Sequence, residues 1–173
     1  FIGPPLTESF ERFYGFTPGQ AKEAVEFYRE YFKDKGIFEN RPYKGIDVLL
    51  SSLKNAGMIL AVATSKPEVF AERILEHFDL AQYFTVTAGS NLDGSRISKA
   101  DVINYALETL KVNDKTSVLM VGDREHDVLG ARECGMECVG VLYGYGSRQE
   151  MEDCRAAHVV ETVSELEQFL LSL

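Results

Sequence analysis

Three short segments of this sequence carry residue types that handle phosphate groups in proteins. Thr64-Ser65-Lys66 combines two hydroxyls with an ammonium, Lys99 follows a serine, and Asp123 and Asp127 lie four residues apart. Hydroxyls donate hydrogen bonds to phosphate oxygens, and a lysine neutralises their negative charge. Paired carboxylates beside a phosphate suit Mg²⁺, which binds a few hard oxygen ligands together with water and phosphate. These residue types predict a site for phosphate and Mg²⁺, if the fold brings the segments together.

Each segment taken alone also fits an ordinary structural role. Thr64-Ser65 lies between a predicted strand and a predicted helix, where a helix cap or a hydroxyl turn explains it as well as an anion site does. Lys99 opens a predicted helix, where the macrodipole disfavours a cation, so its side chain points into water or meets a negative partner. Asp123 fits a helix cap, and Asp127 fits a solvated acid in the first turn. Both interpretations stay open for every segment.

Residues 41–173, which contain all three segments, alternate between strand and helix patterns. Apolar runs at Met58–Ala63, Ser117–Val121 and Cys138–Leu142 have no polar face, as expected of strands buried on both sides. Such alternation predicts right-handed β-α-β units, and therefore an α/β fold with a three-layer α/β/α, Rossmann-like parallel sheet. Ligands of open parallel sheets bind beyond the carboxyl ends of the strands, where the hydroxyls, Lys66 and Asp123 are expected.

Residues 1–40 show helical patterns and no strand pattern. Thr17-Pro18-Gly19-Gln20 is typical of a capping box, and the helix that it opens is expected to end at Gly36. A linker pattern follows at Asn40–Gly45. The sequence thus predicts a helical segment over residues 1–40 and an α/β domain over residues 41–173.

Charge and composition exclude several classes of partner. The chain has 173 residues, with 18 Lys and Arg against 27 Asp and Glu, which gives a net charge of −9. A phosphate-backbone binder concentrates basic residues, so we expect no nucleic acid partner. No apolar run is long enough for a membrane span, and three cysteines do not form a disulfide framework. We expect a cytoplasmic protein, monomer or homodimer, that binds a small phosphorylated metabolite.

The order of the three segments resembles that of the haloacid dehalogenase-like phosphatases. That family places a threonine after one strand, a lysine at a helix start and Gly-Asp-x-x-x-Asp after a later strand, here Thr64, Lys99 and Gly122–Asp127. The segments Ala63–Pro67 and Gly140–Gly146 look like the phosphoglycolate phosphatase branch, whose members include 5′-nucleotidases. The resemblance extends over essentially the whole chain. It implies that residues 1–40 form part of a small helical cap.

The resemblance also implies a role for each candidate residue. Thr64 would bind the transferring phosphoryl group, with Ser65 helping through its backbone N–H, and Lys66 would belong to the same phosphate-binding segment. Lys99 would neutralise charge between the nucleophile and the phosphoryl oxygens. Asp123 would bind Mg²⁺, and Asp127 would bind it through water or orient Asp123.

One part of the family pattern is not in this sequence. The family carries its nucleophile in an Asp-x-Asp motif after its first strand, and no Asp-x-Asp occurs here. We expect that motif upstream of Phe1, and we expect the strands before Thr64 and Asp123 to lack the neighbour that they would share. The leading hypothesis is a Mg²⁺-dependent phosphatase of phosphoglycolate or a nucleoside 5′-monophosphate, acting through an aspartyl-phosphate intermediate.

The alternative is a non-catalytic phosphate-binding or interaction domain with a degenerate site. An Asp-x-Asp segment encoded upstream favours the enzyme. A start codon directly before Phe1 favours the binding domain.

Overall fold

The computed structural model describes residues 6–93 and 95–173, and it divides the chain into the units Phe1–Arg41 and Pro42–Leu173. The first unit is helical, with α1 at Leu6–Tyr14, α2 at Pro18–Asp34 and a short 3₁₀ helix at Gly36–Phe38. Thr17 and Gln20 form the expected reciprocal cap at the start of α2. Residues 1–5 of the expected cap segment lie outside the described residues.

The second unit alternates helices and strands, as its sequence predicts. None of the helices in the described residues is both long enough and apolar enough to cross a bilayer. The elements are α3 (Ile46–Asn55), β1 (Ala61–Pro67), α4 (Glu68–His77), β2 (Val86–Ser90), α5 (Lys99–Thr109), β3 (Leu119–Gly122), α6 (Glu125–Glu133), β4 (Glu137–Val141), α7 (Arg148–Asp153), β5 (His158–Val160) and α8 (Val163–Leu171).

The strands of this unit form two parallel sheets with helices on both faces. β1 pairs with β2, and β3 pairs with β4, which pairs with β5. Val139 and Val141 of β4 pack with apolar residues of α3 and α8, whereas Cys138 packs with residues of α5, α6 and α7. Because neighbouring residues of a strand point to opposite faces, this alternation builds three α/β/α layers. The predicted α/β class is confirmed.

The expectation that all three apolar runs are buried on both sides is wrong for two of them. Of the three runs, β4 is mostly buried, whereas every residue of β1 and β3 is half-buried or exposed. β1 also begins three residues later than expected and continues to Pro67. β4 has a partner on each side, but no strand of the described residues pairs with the second edge of β1 or β3. The gap expected between these strands is therefore present.

Candidate functional site

Lys99 connects the two sheets at the carboxyl end of β1. Its Nζ lies 2.8 Å from Asp127 Oδ1 and donates a hydrogen bond of 3.1 Å to the carbonyl of Ala63. The Lys99 side chain is 12% exposed and that of Asp127 is 10% exposed. The interpretation of Lys99 as a solvent-directed side chain is therefore wrong. The ion pair offsets the unfavourable position of the cation at the start of α5.

Asp127 lies in the first turn of α6, and its side chain binds back to the residues before the helix, whose N-cap is Arg124. Its Oδ2 accepts the backbone N–H groups of Asp123 and Arg124, each at 3.1 Å. These N–H groups precede the helix and have no carbonyl partner within it, so a carboxylate that accepts them stabilises the helix start. Asp127 is buried, which contradicts the interpretation as a solvated acid. Asp123 does not cap the helix, because the N-cap residue is Arg124.

Asp123 is held by the loop that follows β4. Its Oδ2 accepts the backbone N–H of Tyr145 at 2.8 Å. A Cβ atom at Gly144 would lie 2.3 Å from the Cβ of Asp123, so only glycine allows the loop to come this close. The Gly144-Tyr145-Gly146 turn therefore orients Asp123 through a main-chain donor. The repeated glycines were the sequence signal for this close approach, but they did not identify its target.

The Thr64-Ser65-Lys66 segment lies on an irregular part of β1. Thr64 Oγ1 accepts the N–H of Lys66 at 3.2 Å, and Ser65 O accepts the hydroxyl of Ser90 at 3.0 Å. The segment thus forms the hydroxyl turn and not a helix cap, because α4 begins only at Glu68 and its N-cap is Pro67. The Thr64 hydroxyl accepts one bond here and keeps its own proton for a further acceptor.

Lys66 brings a second ammonium to the same place. Desolvation lowers its pKa, the Asp123 carboxylate raises it, and the positive charge of Lys99 lowers it further. The residue as a whole is exposed, so water still reaches part of the side chain. Asp123 and Lys99 are thus the charged groups that act on Lys66.

Two tyrosines lie beside Asp123, and sequence reasoning missed both. The rings of Tyr43 and Tyr143 are 5.1 Å apart in an edge-to-face arrangement. Burial raises the pKa of Tyr143 to about 12, and the charges of Tyr43 and Asp123 contribute to that increase. The pKa of Tyr43 is raised as well, so both phenols keep their protons near neutral pH. A lone tyrosine in a loop pattern carries no signal for such a position.

A family model described as haloacid dehalogenase-like hydrolase matches residues 1–141 of this chain. The chain belongs to this family. It is 44% identical over 172 residues to the 5′-nucleotidase of Pseudomonas aeruginosa, with 99% of this chain and 77% of that protein covered. It is also 44% identical over 172 residues to the tyrosine-protein kinase PtkA of Mycobacterium tuberculosis, with 98% of this chain and 58% of the kinase covered.

A solved structure agrees with this assignment. The crystal structure of a predicted phosphatase from Clostridium acetobutylicum has a TM-score of 0.95 and 49% identity to this chain, covering 100% of this chain and 80% of that one. The expected resemblance to haloacid dehalogenase-like phosphatases is therefore confirmed. By family, the chain is a phosphatase-type hydrolase.

The carboxylates of this haloacid dehalogenase-like site differ in whether an oxygen atom is free to bind Mg²⁺. Within residues 6–93 and 95–173, no three His, Cys, Asp or Glu side chains are grouped to hold a metal ion. Both oxygens of Asp127 are engaged, whereas Asp123 Oδ1 accepts no hydrogen bond from a described residue. Mg²⁺ commonly takes one or two carboxylates and completes its shell with water and substrate phosphate. The donor set fits Mg²⁺ with Asp123 as the direct ligand.

Proposed function

We propose that this protein is a Mg²⁺-dependent phosphatase of small phosphate monoesters, phosphoglycolate or a nucleoside 5′-monophosphate. The observation that carries the proposal is the buried Lys99–Asp127 ion pair beside the Ala63 carbonyl of β1, together with the Asp123 carboxylate that the Tyr145 N–H orients. The family and its 5′-nucleotidase relative support phosphate-ester hydrolysis. The three free, buried cysteines support a reducing compartment for this activity.

The ammonium groups supply the positive charge that a phosphoryl group requires. In this proposal, Lys99 and Lys66 neutralise the phosphoryl oxygens, and Thr64 donates its hydroxyl proton to one of them. Fixed charges of this kind act mainly by positioning and by electrostatic stabilisation of the transition state. Lys99 is well placed for this task, because Asp127 and the Ala63 carbonyl hold its Nζ in one position.

Asp123 is the residue that would hold Mg²⁺, which when bound would neutralise charge on the phosphoryl oxygens. Tyr145 N–H fixes the orientation of the Asp123 carboxylate, and Asp127 fixes the backbone N–H of the same residue. We assign to Asp127 an orienting role and not that of a direct ligand. Its two oxygens already serve Lys99 and the start of α6.

The attacking carboxylate completes the proposal. No Asp-x-Asp occurs in these 173 residues, so we assign the nucleophile to a strand that would pair with the open edges of β1 and β3. Its oxygen would bond to phosphorus as the ester P–O bond breaks, and the second carboxyl group of the Asp-x-Asp motif would give its proton to the leaving alcohol. Water would then cleave the aspartyl phosphate, which releases inorganic phosphate and restores the carboxylate.

The experiment measures phosphate release by the full gene product from phosphoglycolate and from nucleoside 5′-monophosphates, across a Mg²⁺ titration. We expect Asp123→Asn to lower Mg²⁺ affinity and turnover together. Lys99→Ala should lower the rate by about tenfold or more, because it removes charge stabilisation of the transition state. Asp101→Asn is the matched control, since Asp101 is an exposed carboxylate on α5.

Two results would contradict the proposal. An unchanged Mg²⁺ dependence in Asp123→Asn would remove Asp123 from the metal site. Phosphate binding without turnover of any ester would favour the alternative, a non-catalytic phosphate-binding domain.

A further inference from the structure

The candidate phosphate segment is not held by a regular strand ladder. Ala63 of β1 pairs with Ala88 of β2, and Pro67 of β1 pairs with Ser90 of β2. Between these two pairs, β1 advances by four residues and β2 by only two. Thr64-Ser65-Lys66 therefore forms a bulge in β1. Bulges re-aim side chains next to functional sites, but they also lose ladder hydrogen bonds. Other contacts must fix the position of this segment.

An ion pair at the end of the bulge provides such contacts. The Nη2 atom of Arg96 lies 2.5 Å from Glu68 Oε2, and its Nε donates to the carbonyl of Gly89 at 2.6 Å. Glu68 Oε2 also accepts the N–H of Gly89 at 3.1 Å. The side chains of Arg96 and Glu68 are 13% and 27% exposed, so the pair is largely shielded from water. It fastens the start of α4, just after the bulge, to the end of β2.

The surrounding contacts leave this pair little freedom. The guanidinium of Arg96 lies over the ring of Tyr105, with its Cζ 3.7 Å from the ring centroid. A Cβ atom at Gly89 would lie 2.5 Å from the backbone N of Glu68 and 2.7 Å from the carbonyl oxygen of Lys66. The end of β2 thus lies directly against the backbone of the bulge. A change at the ion pair would be transmitted to Lys66 over a single contact.

We propose that the Glu68–Arg96 pair positions Thr64-Ser65-Lys66 for phosphate binding, so that both are positioning residues of the site. The inference rests on the proposed function, because it assumes that this segment binds the phosphoryl group. Arginine is required at position 96 because one planar guanidinium serves the Glu68 carboxylate and the Gly89 carbonyl together. A lysine keeps the charge but has no planar fork with which to make both bonds in this geometry.

The test is a titration of the full chain with inorganic phosphate, followed through the backbone amide resonances of Ser65 and Lys66. We expect Arg96→Lys and Glu68→Gln each to raise the dissociation constant of phosphate by about fivefold or more. In Glu68→Gln, the Gly89 amide resonance should also move upfield, because its acceptor loses its charge. These amide resonances report on the bulge itself. A variant that is only less stable, but still folded, would leave them unchanged.

Arg148→Lys is the matched control, because the exposed ion pair of 2.6 Å between Arg148 and Glu161 joins the start of α7 to the residue after β5. We expect its phosphate affinity to equal that of the wild type. If Arg96→Lys does not fold, Glu68→Gln alone tests whether the pair positions the bulge, because glutamine keeps the shape of the glutamate side chain. Wild-type affinity in Glu68→Gln or in a folded Arg96→Lys would overturn the positioning role alone. A wild type without any phosphate response at Ser65 and Lys66 would overturn the proposed function as well.

Discussion

The Lys99–Asp127 pair allows a quantitative test of the site. Separate substitutions Asp127→Asn and Lys99→Met, and their combination, form a double-mutant cycle that isolates the interaction between the two side chains. The pair is largely buried and its charged atoms are 2.8 Å apart. At an effective dielectric constant of about 20, the attraction is about 6 kcal/mol before desolvation is subtracted.

Removing one partner of a buried pair leaves the other charge without compensation, at a typical cost of about 3–5 kcal/mol. We expect Asp127→Asn to lower the free energy of unfolding by about 3 kcal/mol, because the Lys99 ammonium stays buried without a negatively charged partner. Lys99→Met should cost less, about 2 kcal/mol, since Asp127 keeps its two backbone N–H donors. The double variant should cost about 3 kcal/mol, which leaves a coupling energy of about 2 kcal/mol.

The assay is urea unfolding followed by circular dichroism, with linear extrapolation to water. The exposed Arg148–Glu161 pair supplies a control cycle, for which we expect a coupling below about 0.5 kcal/mol. If the Lys99–Asp127 coupling is equally small, the pair does not hold the two sheets together. The argument that Asp127 fixes the position of the Lys99 ammonium would then be wrong.

Two further predictions concern packing and pH. Gly122→Ala should lower the free energy of unfolding by about 2 kcal/mol or more, because its Cβ would lie 2.2 Å from Asp127 Cβ. Thermal unfolding measures this change. The control is Gly19→Ala, whose Cβ would meet no atom within 4 Å. Burial raises the pKa of the Cys138 thiol to about 12, against 9.0 when it is unperturbed. The unfolded thiol therefore loses its proton first, and stability should fall as the pH rises from about 9 towards 12. Cys138→Ala should reduce that fall, whereas equal curves for the two proteins would contradict the assignment.

The sequence was sufficient to predict the order of helices and strands and the segments that meet at the site. The strands end where ligands of parallel sheets bind, so Thr64, Lys66 and Asp123 could be placed on one edge in advance. The macrodipole argument indicated that Lys99 needs either water or an anion. It could not identify Asp127 as that anion, because the two residues belong to different helices and lie 28 positions apart.

What the sequence could not supply is the set of main-chain contacts that orient the side chains. Tyr145 acts on Asp123 through its backbone N–H, which every residue except proline possesses. The bulge at Thr64–Lys66 also depends on register between β1 and β2, which the apolar pattern does not encode. Likewise, the burial of β1 and β3 depends on whether each edge has a partner, and an apolar run carries no information about its neighbours.

The contacts that build this site are also contacts that hold the fold together. α5 packs against β1, β2 and α6, and its first residue, Lys99, binds a carbonyl of β1 and a carboxylate of α6. A Cβ atom at Gly130 of α6 would lie 2.6 Å from Lys99 Cγ, so the absence of a side chain there admits the stem of the lysine. The two sheets share no strand pairing among the described residues, and Lys99 therefore serves both their association and the proposed chemistry. Loss of activity in a Lys99 variant cannot by itself separate these roles, and so phosphate affinity and unfolding free energy have to be measured on the same variants.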